Sequence, residues 1–295
     1  MTRTLAVVLL AFSLSAQNVE VAASVAFTEG PTQDRDGNVY FTETVNERIM
    51  KLSSSGVLSV FREKSNGANG LLVDSENRLV ACEGAGKNVP RVTRTDLKTG
   101  RIEVLAEGGS LVTPNDVTTD GKGRLYFTDL PGSAIYRIDA PGKFVRIAGA
   151  PEIQRANGIQ VSADDKTLYV VEANQAKDGH RRITAFDLQP DGTVRNMRVH
   201  YNFYPGRSAD GMSIDEQGNL YAAAGLHRPR GTSETLDTRC GVHVISPAGK
   251  VIRFIPIPED TITNTAFGGP DRKTLFVTAG KTLFRVRVDV PGLMR

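Results

Sequence analysis

The chain has 295 residues, 40% hydrophobic and 23% charged, with a formal charge of +3, which suits a large buried core and excludes a charge-rich disordered chain. Its 29 glycines and 14 prolines punctuate short runs of Val, Ile, Thr, Tyr and Phe, a pattern of many strands and turns rather than long helices. No basic block is dense enough for a nucleic-acid face, so the expected partner is a small molecule.

At the start, "MTRTLAVVLLAFSLSAQ" places Arg3 ahead of an apolar run over residues 5–14, with Ser15 and Ala16 behind it. This reads as a signal peptide over residues 1–17 and predicts an exported protein, periplasmic or secreted. The run is too short to span a bilayer, and no other segment approaches the ~18 apolar residues of a span, so the mature chain is not expected to insert in a membrane. In an oxidising compartment Cys82 and Cys240 become candidates for pairing, although two separate buried thiols are the simpler expectation.

Residues 19–27, "VEVAASVAF", predict a strand with no hairpin of its own. A unit then recurs six times: "EGPTQDRDGNVYFTE", "NGLLVDSENRLVACE", "NDVTTDGKGRLYFTD", "NGIQVSADDKTLYVVE", "DGMSIDEQGNLYAAA" and "TAFGGPDRKTLFVTA". The second strands of these units begin at Val39, Leu79, Leu125, Leu168, Leu220 and Leu275, spaced by 40, 46, 43, 52 and 55 residues. Periods of about 40–50 residues with several strands each are propeller blades. Third strands such as "AIYRID" and fourth strands such as "GKFVRIAG" complete most units, and the sixth lacks its fourth. The prediction is an all-β, six-bladed propeller with four-stranded blades over residues 18–295, its last blade closed by the N-terminal strand.

In such a ring the first strand of each unit is innermost. Its opening positions hold Glu29, Asn69, Asn115 with Asp116, Asn157, Asp210, and Asn264 with Thr265. Beside a glycine, an isolated Asn or Asp is a common turn former. Six of them converging on one channel mouth form a set of oxygen donors suited to a hard divalent cation, and Glu29 with Asp210 offsets its two charges. Calcium is the expected ion, with Mg, Mn and Zn as alternatives. The longest loops, "EANQAKDGHRR" and "GLHRPRGTSETLDTRC", are expected over one face. The second of them brings His227 as a substrate-binding candidate alongside Asn69.

These residues resemble the senescence marker protein, gluconolactonase and luciferin-regenerating-enzyme-like family, the regucalcin-like six-bladed propellers. The resemblance rests on "EGP" at 29–31, "PND" at 114–116, "NGI" at 157–159, "DGM" at 210–212 and "FGG" at 267–269, in that order along nearly all of the mature chain. It implies a metal-dependent lactonase, a carboxylic ester hydrolase of the gluconolactonase kind, that opens a small lactone by metal-activated water. By the same resemblance the metal ligands are Glu29, Asn157 and Asp210, Asn115 meets the substrate, and Asp210 is the general base. One position departs: Thr113 stands where the mammalian branch carries an arginine for sugar hydroxyls, which leaves the identity of the lactone open.

Two other readings use the same ring: a binding propeller with a structural metal, and a phosphotriesterase-like hydrolase. A serine elbow, an H-E-x-x-H helix and cysteine zinc spacing are all missing from the sequence. Glu43, Glu83, Asp129 and Glu172 each end a second strand and are expected to hold turns or neighbouring blades rather than a ligand.

Overall fold

Each repeat is locked by its turn. Asp34 accepts backbone hydrogen bonds from Asp36 (3.0 Å) and Asn38 (2.8 Å) and a phenolic one from Tyr40 (3.0 Å), so one carboxylate fixes both the turn and the strand after it. Asp120 does the same with the Lys122 and Arg124 amides and the Tyr126 hydroxyl. In the fifth repeat Asp215 accepts from Gln217 and Asn219. Hairpin register is therefore specified within each of these repeats.

A computed structural model describes residues 18–86 and 88–294; the leader expected over residues 1–17 lies outside the described residues. Those described contain 24 strands and no helix, in six four-stranded antiparallel sheets that form a six-bladed β-propeller. The inner strands are Thr28–Gln33, Leu71–Val73, Pro114–Thr119, Ala156–Val161, Ala209–Ile214 and Ile262–Gly268. Five blades are meanders in chain order. In the sixth, Val19–Ser24 supplies the outermost strand, antiparallel to Thr282–Arg287 with Val19 opposite Val286. The N-terminal strand thus closes the ring, and Thr28 Oγ1 reinforces the seam by donating to the Thr282 carbonyl at 3.2 Å.

The second strands Val39–Glu43 and Leu125–Asp129 are buried at every position. Both faces of such a strand are covered, which is why "VYF" and "LYF" read as continuous apolar runs rather than alternating ones. Apolar packing lies between blades: Val80, Cys82 and Val92 of blade two meet Val117, Phe127 and Tyr136 of blade three. Phe41 and Met50 of blade one meet Phe276 and Leu283 of blade six in the same way. Burying a side chain of this size contributes about 1.5–3 kcal/mol. Since the blades pack through their faces, the axis is left to polar groups. Cys82 and Cys240 are free thiols buried in different clusters.

Candidate functional site

Pairing between inner and second strands slips at the same level in five blades. The shifts fall between Glu29 and Thr32, Pro114 and Val117, Ala156 and Ile159, Ala209 and Met212, and Ile262 and Asn264. In the remaining blade, Asn69 and Gly70 precede the strand altogether. A bulge releases a residue from the ladder and re-aims its side chain. The released residues here include Asn115 with Asp116, Asn157 with Gly158, and Asp210 with Gly211, while Glu29 stands at the edge of its bulge.

The glycines that follow let adjacent inner strands close up. Gly70 N donates to the Asn115 carbonyl at 2.7 Å, and a Cβ on Gly70 would lie 2.6 Å from Asp116 Oδ1. A Cβ on Gly211 would fall inside the Asn264 carboxamide. Only a residue without a side chain lets polar groups from neighbouring blades draw this near.

Electrostatics shows which of them share space. Glu29 is buried, and its carboxyl is pushed well above the usual range by burial and then by the charge of Asp210, with the Gly30 N–H (3.2 Å) and Arg207 opposing. Burial also raises Asp210, against the pull of Arg207, the Asn157 amide and Arg230. Arg207 Nη2 donates to Asp210 Oδ2 at 2.7 Å, and its Nη1 donates to the Ile262 carbonyl at 2.9 Å. Asp116, bonded to the Val117 N–H at 3.0 Å and to Asn264 Nδ2 at 3.4 Å, is lifted by burial to about 7. Glu29, Asn157, Asp210 and Asp116 form one electrostatic unit, with Arg207 as its buried counter-charge.

Burial of Asp116 has a measurable consequence. A carboxyl whose folded pKa lies near 7 rather than its ordinary 3.8 binds its proton more tightly in the native state, so stability is lost as pH rises from the lower value to the higher. In chelator-treated protein, Asp116→Asn should therefore gain thermal stability over the parent between about pH 5 and about pH 8, by an amount on the order of 2 kcal/mol. Melting curves at the two pH values check it; an equal difference at both would contradict the assignment.

Asn69 is half-buried, and its carbonyl accepts from Thr42 Oγ1 at 2.9 Å. Asn115 is buried beside Asp116. His227 is exposed, with its backbone N–H on Asp260 and its Nε2 on the Ile257 carbonyl at 2.8 Å, so those contacts tie it to the loop before blade six rather than to the acids. The acids that end second strands hold loops. Asp129 accepts from the Val112 and Thr113 amides, Glu172 from Gln154 and Arg182, and Glu83 pairs with Arg62 and Arg91.

A cavity of about 1450 Å³ opens at the other end of the channel, among Thr32, Gln33, Thr118, Gln160 and Phe267. It reaches Asp116 and Asn264 but neither Glu29, Asn157 nor Asp210. Volume and chemistry thus point to opposite mouths. Glu29, Asn157 and Asp210 are at the loop-bearing one, and Asp34, on the cavity side, is held by Asn38 and Tyr40.

The model of the SMP-30/gluconolactonase/LRE-like region matches residues 27–281. The chain belongs to this family. A gluconolactonase from Zymomonas mobilis is 24% identical over 92% of this chain and 81% of its own length. Among solved structures, a gluconolactonase from Xanthomonas campestris is 25% identical with a TM-score of 0.78, covering 94% of this chain and 91% of that one. Regucalcin from Agrobacterium tumefaciens, described as a calcium-binding protein, is 21% identical with a TM-score of 0.75, covering 95% and 96% of the two chains, and shares the ring.

In this member of the family the donor set can be tested for a cation. No cluster of three or more His, Cys, Asp or Glu among the described residues is placed to hold a metal, so a site here depends on an amide oxygen. Glu29, Asp210 and Asn157 supply two carboxylates and an amide, an all-oxygen set for a hard ion. The charge of Asp210 raises the proton affinity of Glu29, an effect that a bound cation would cancel. The residues therefore fit a divalent cation, with Asp210 Oδ1 free of the Arg207 pair. Arg207 itself escaped the repeat pattern, because it lies in the loop before the fifth inner strand, three residues ahead of Asp210, where no periodicity marks it.

Proposed function

We propose that this protein is a divalent-cation-dependent lactonase whose centre is Glu29, Asn157 and Asp210. The observation that carries the reading is the meeting of two carboxylates from blades one and five with an amide from blade four, all delivered by strand bulges to one mouth. Membership in a family with gluconolactonase relatives supports the substrate class. When bound, the cation supplies Lewis-acid polarisation of an ester carbonyl.

The chain's own residues do the rest. Arg207 holds Asp210 by one oxygen and, with the Asn157 amide, favours its ionised form, so the carboxylate can take a proton from water. That water's oxygen adds to the acyl carbon, the acyl carbon–oxygen bond of the ring breaks, and the proton passes to the departing alkoxide to give a hydroxy acid. Asn115, buried next to the acid cluster, donates a hydrogen bond to the carbonyl or ring oxygen of the substrate.

A panel of small lactones followed by acid release, with an organophosphate triester alongside, tests the reading. Turnover of lactones is expected. Triester cleavage alone would move the assignment to a phosphotriesterase, and binding without turnover of either would move it to a binding propeller.

A further inference from the structure

The loop after the second strand of blade five, residues 225–240, is tied down on both sides of Arg230. The His227 and Arg228 amides donate to Asp260 Oδ2 at 3.3 and 3.1 Å. Beyond Arg230, the Ser233 carbonyl accepts from the fully buried Arg181 at 3.1 Å, and Thr235 N donates to the Pro205 carbonyl at 3.0 Å. Arg181 also binds the Ala176 carbonyl at 2.7 Å, so both long loops hang from one guanidinium.

Between these ties, Arg230 Nη2 is buried with no hydrogen-bond partner. Three carboxylates act on it, those of Asp260, Glu234 and Asp210, yet each is engaged elsewhere. Asp260 takes three backbone N–H groups, Glu234 takes the Thr232 hydroxyl at 2.9 Å, and Asp210 takes Arg207. Arg207 is also near enough for its positive charge to oppose that of Arg230. A buried N–H without an acceptor is costly, and two neighbouring guanidiniums are relieved by an anion. A planar fork within electrostatic reach of Asp210 matches a carboxylate better than a hydroxyl.

We propose that Arg230 anchors a carboxylate of the ligand, either the one that ring opening creates or a second one carried by the lactone. This rests on the lactonase reading and makes Arg230 a specificity residue of the same site.

The test uses calcium-loaded protein, its Arg230→Met and Arg230→Lys variants, and calorimetric titration with D-gluconate and with neutral D-glucitol. Gluconate should bind the parent at least ~10-fold more tightly than Arg230→Met, as loss of a charge-assisted hydrogen bond implies, with Arg230→Lys between and glucitol unchanged in all three. Kinetics with D-glucaro-1,4-lactone and D-glucono-1,4-lactone locates the carboxylate. A KM rise in Arg230→Met confined to the charged lactone places it on the substrate; weakened gluconate inhibition alone places it on the product. Equal gluconate affinity in parent and Arg230→Met overturns the proposal. Preserved gluconate discrimination without turnover of any lactone overturns the hydrolase and leaves the anchor standing.

Discussion

Asp210→Asn should lower kcat for lactone opening by about 10³-fold while leaving the protein folded, the scale expected for removal of a positioned general base. Asparagine retains an oxygen for Arg207 and fills the same space, so at saturating calcium the loss reports proton transfer rather than collapse or loss of the cation. Asp210→Ala should behave differently in one respect. Arg207 is 4% exposed, and without Asp210 it keeps its bonds to the Ile262 and Gly225 carbonyls and the electrostatic pull of Glu29. Those bonds put the destabilisation at the low end for a broken buried pair, about 3 kcal/mol. Parallel rate and melting measurements separate the two effects; Asp210→Asn at parental kcat would remove Asp210 from the chemistry.

Glu29→Gln should weaken cation binding at least ~100-fold, equivalent to about 2.7 kcal/mol. Glu29 is buried with no cation in direct contact among the described residues, and its neighbour Asp210 repels its charge. In chelator the glutamine variant should consequently melt at or above the parent. In the parent, a cation at a hundred times its dissociation constant adds about 2.7 kcal/mol of stability by mass action, and that gain should vanish in Glu29→Gln. Thermal denaturation with and without calcium measures both. A variant that gains as much from calcium as the parent would place the ion elsewhere.

The ring was legible because its information is local. Asp34 with Tyr40, and Asp120 with Tyr126, show the turn and the following strand specifying each other within six residues, and such units repeat in plain view. Closure followed from counting, since a sixth unit short of one strand and an N-terminal strand without a hairpin complete each other. The repeat put Glu29, Asn69, Asn115, Asn157, Asp210 and Asn264 at one level, and the family resemblance singled out Glu29, Asn157 and Asp210 among them.

What the repeat does not encode comes from distant chain. Asp116 meets Asn264 from 148 residues away, and burial raises its proton affinity against the pull of that amide. Arg207 and Arg230 sit in aperiodic loops whose path is dictated by Arg181 and Asp260. His227, expected at the substrate from its place in a long loop, has its ring on the Ile257 carbonyl and its backbone N–H on Asp260. The strand bulges were equally hidden, because the dipeptides that form them look like ordinary turns.

The most direct test of a cation-dependent lactonase at this mouth is hydrolysis of D-glucono-1,5-lactone by protein stripped with chelator and then titrated with calcium. Turnover should fall to the uncatalysed background on stripping and return at the same calcium concentration that restores the melting temperature. An unchanged rate in the stripped protein would contradict the assignment of Glu29, Asn157 and Asp210 as the centre of its chemistry.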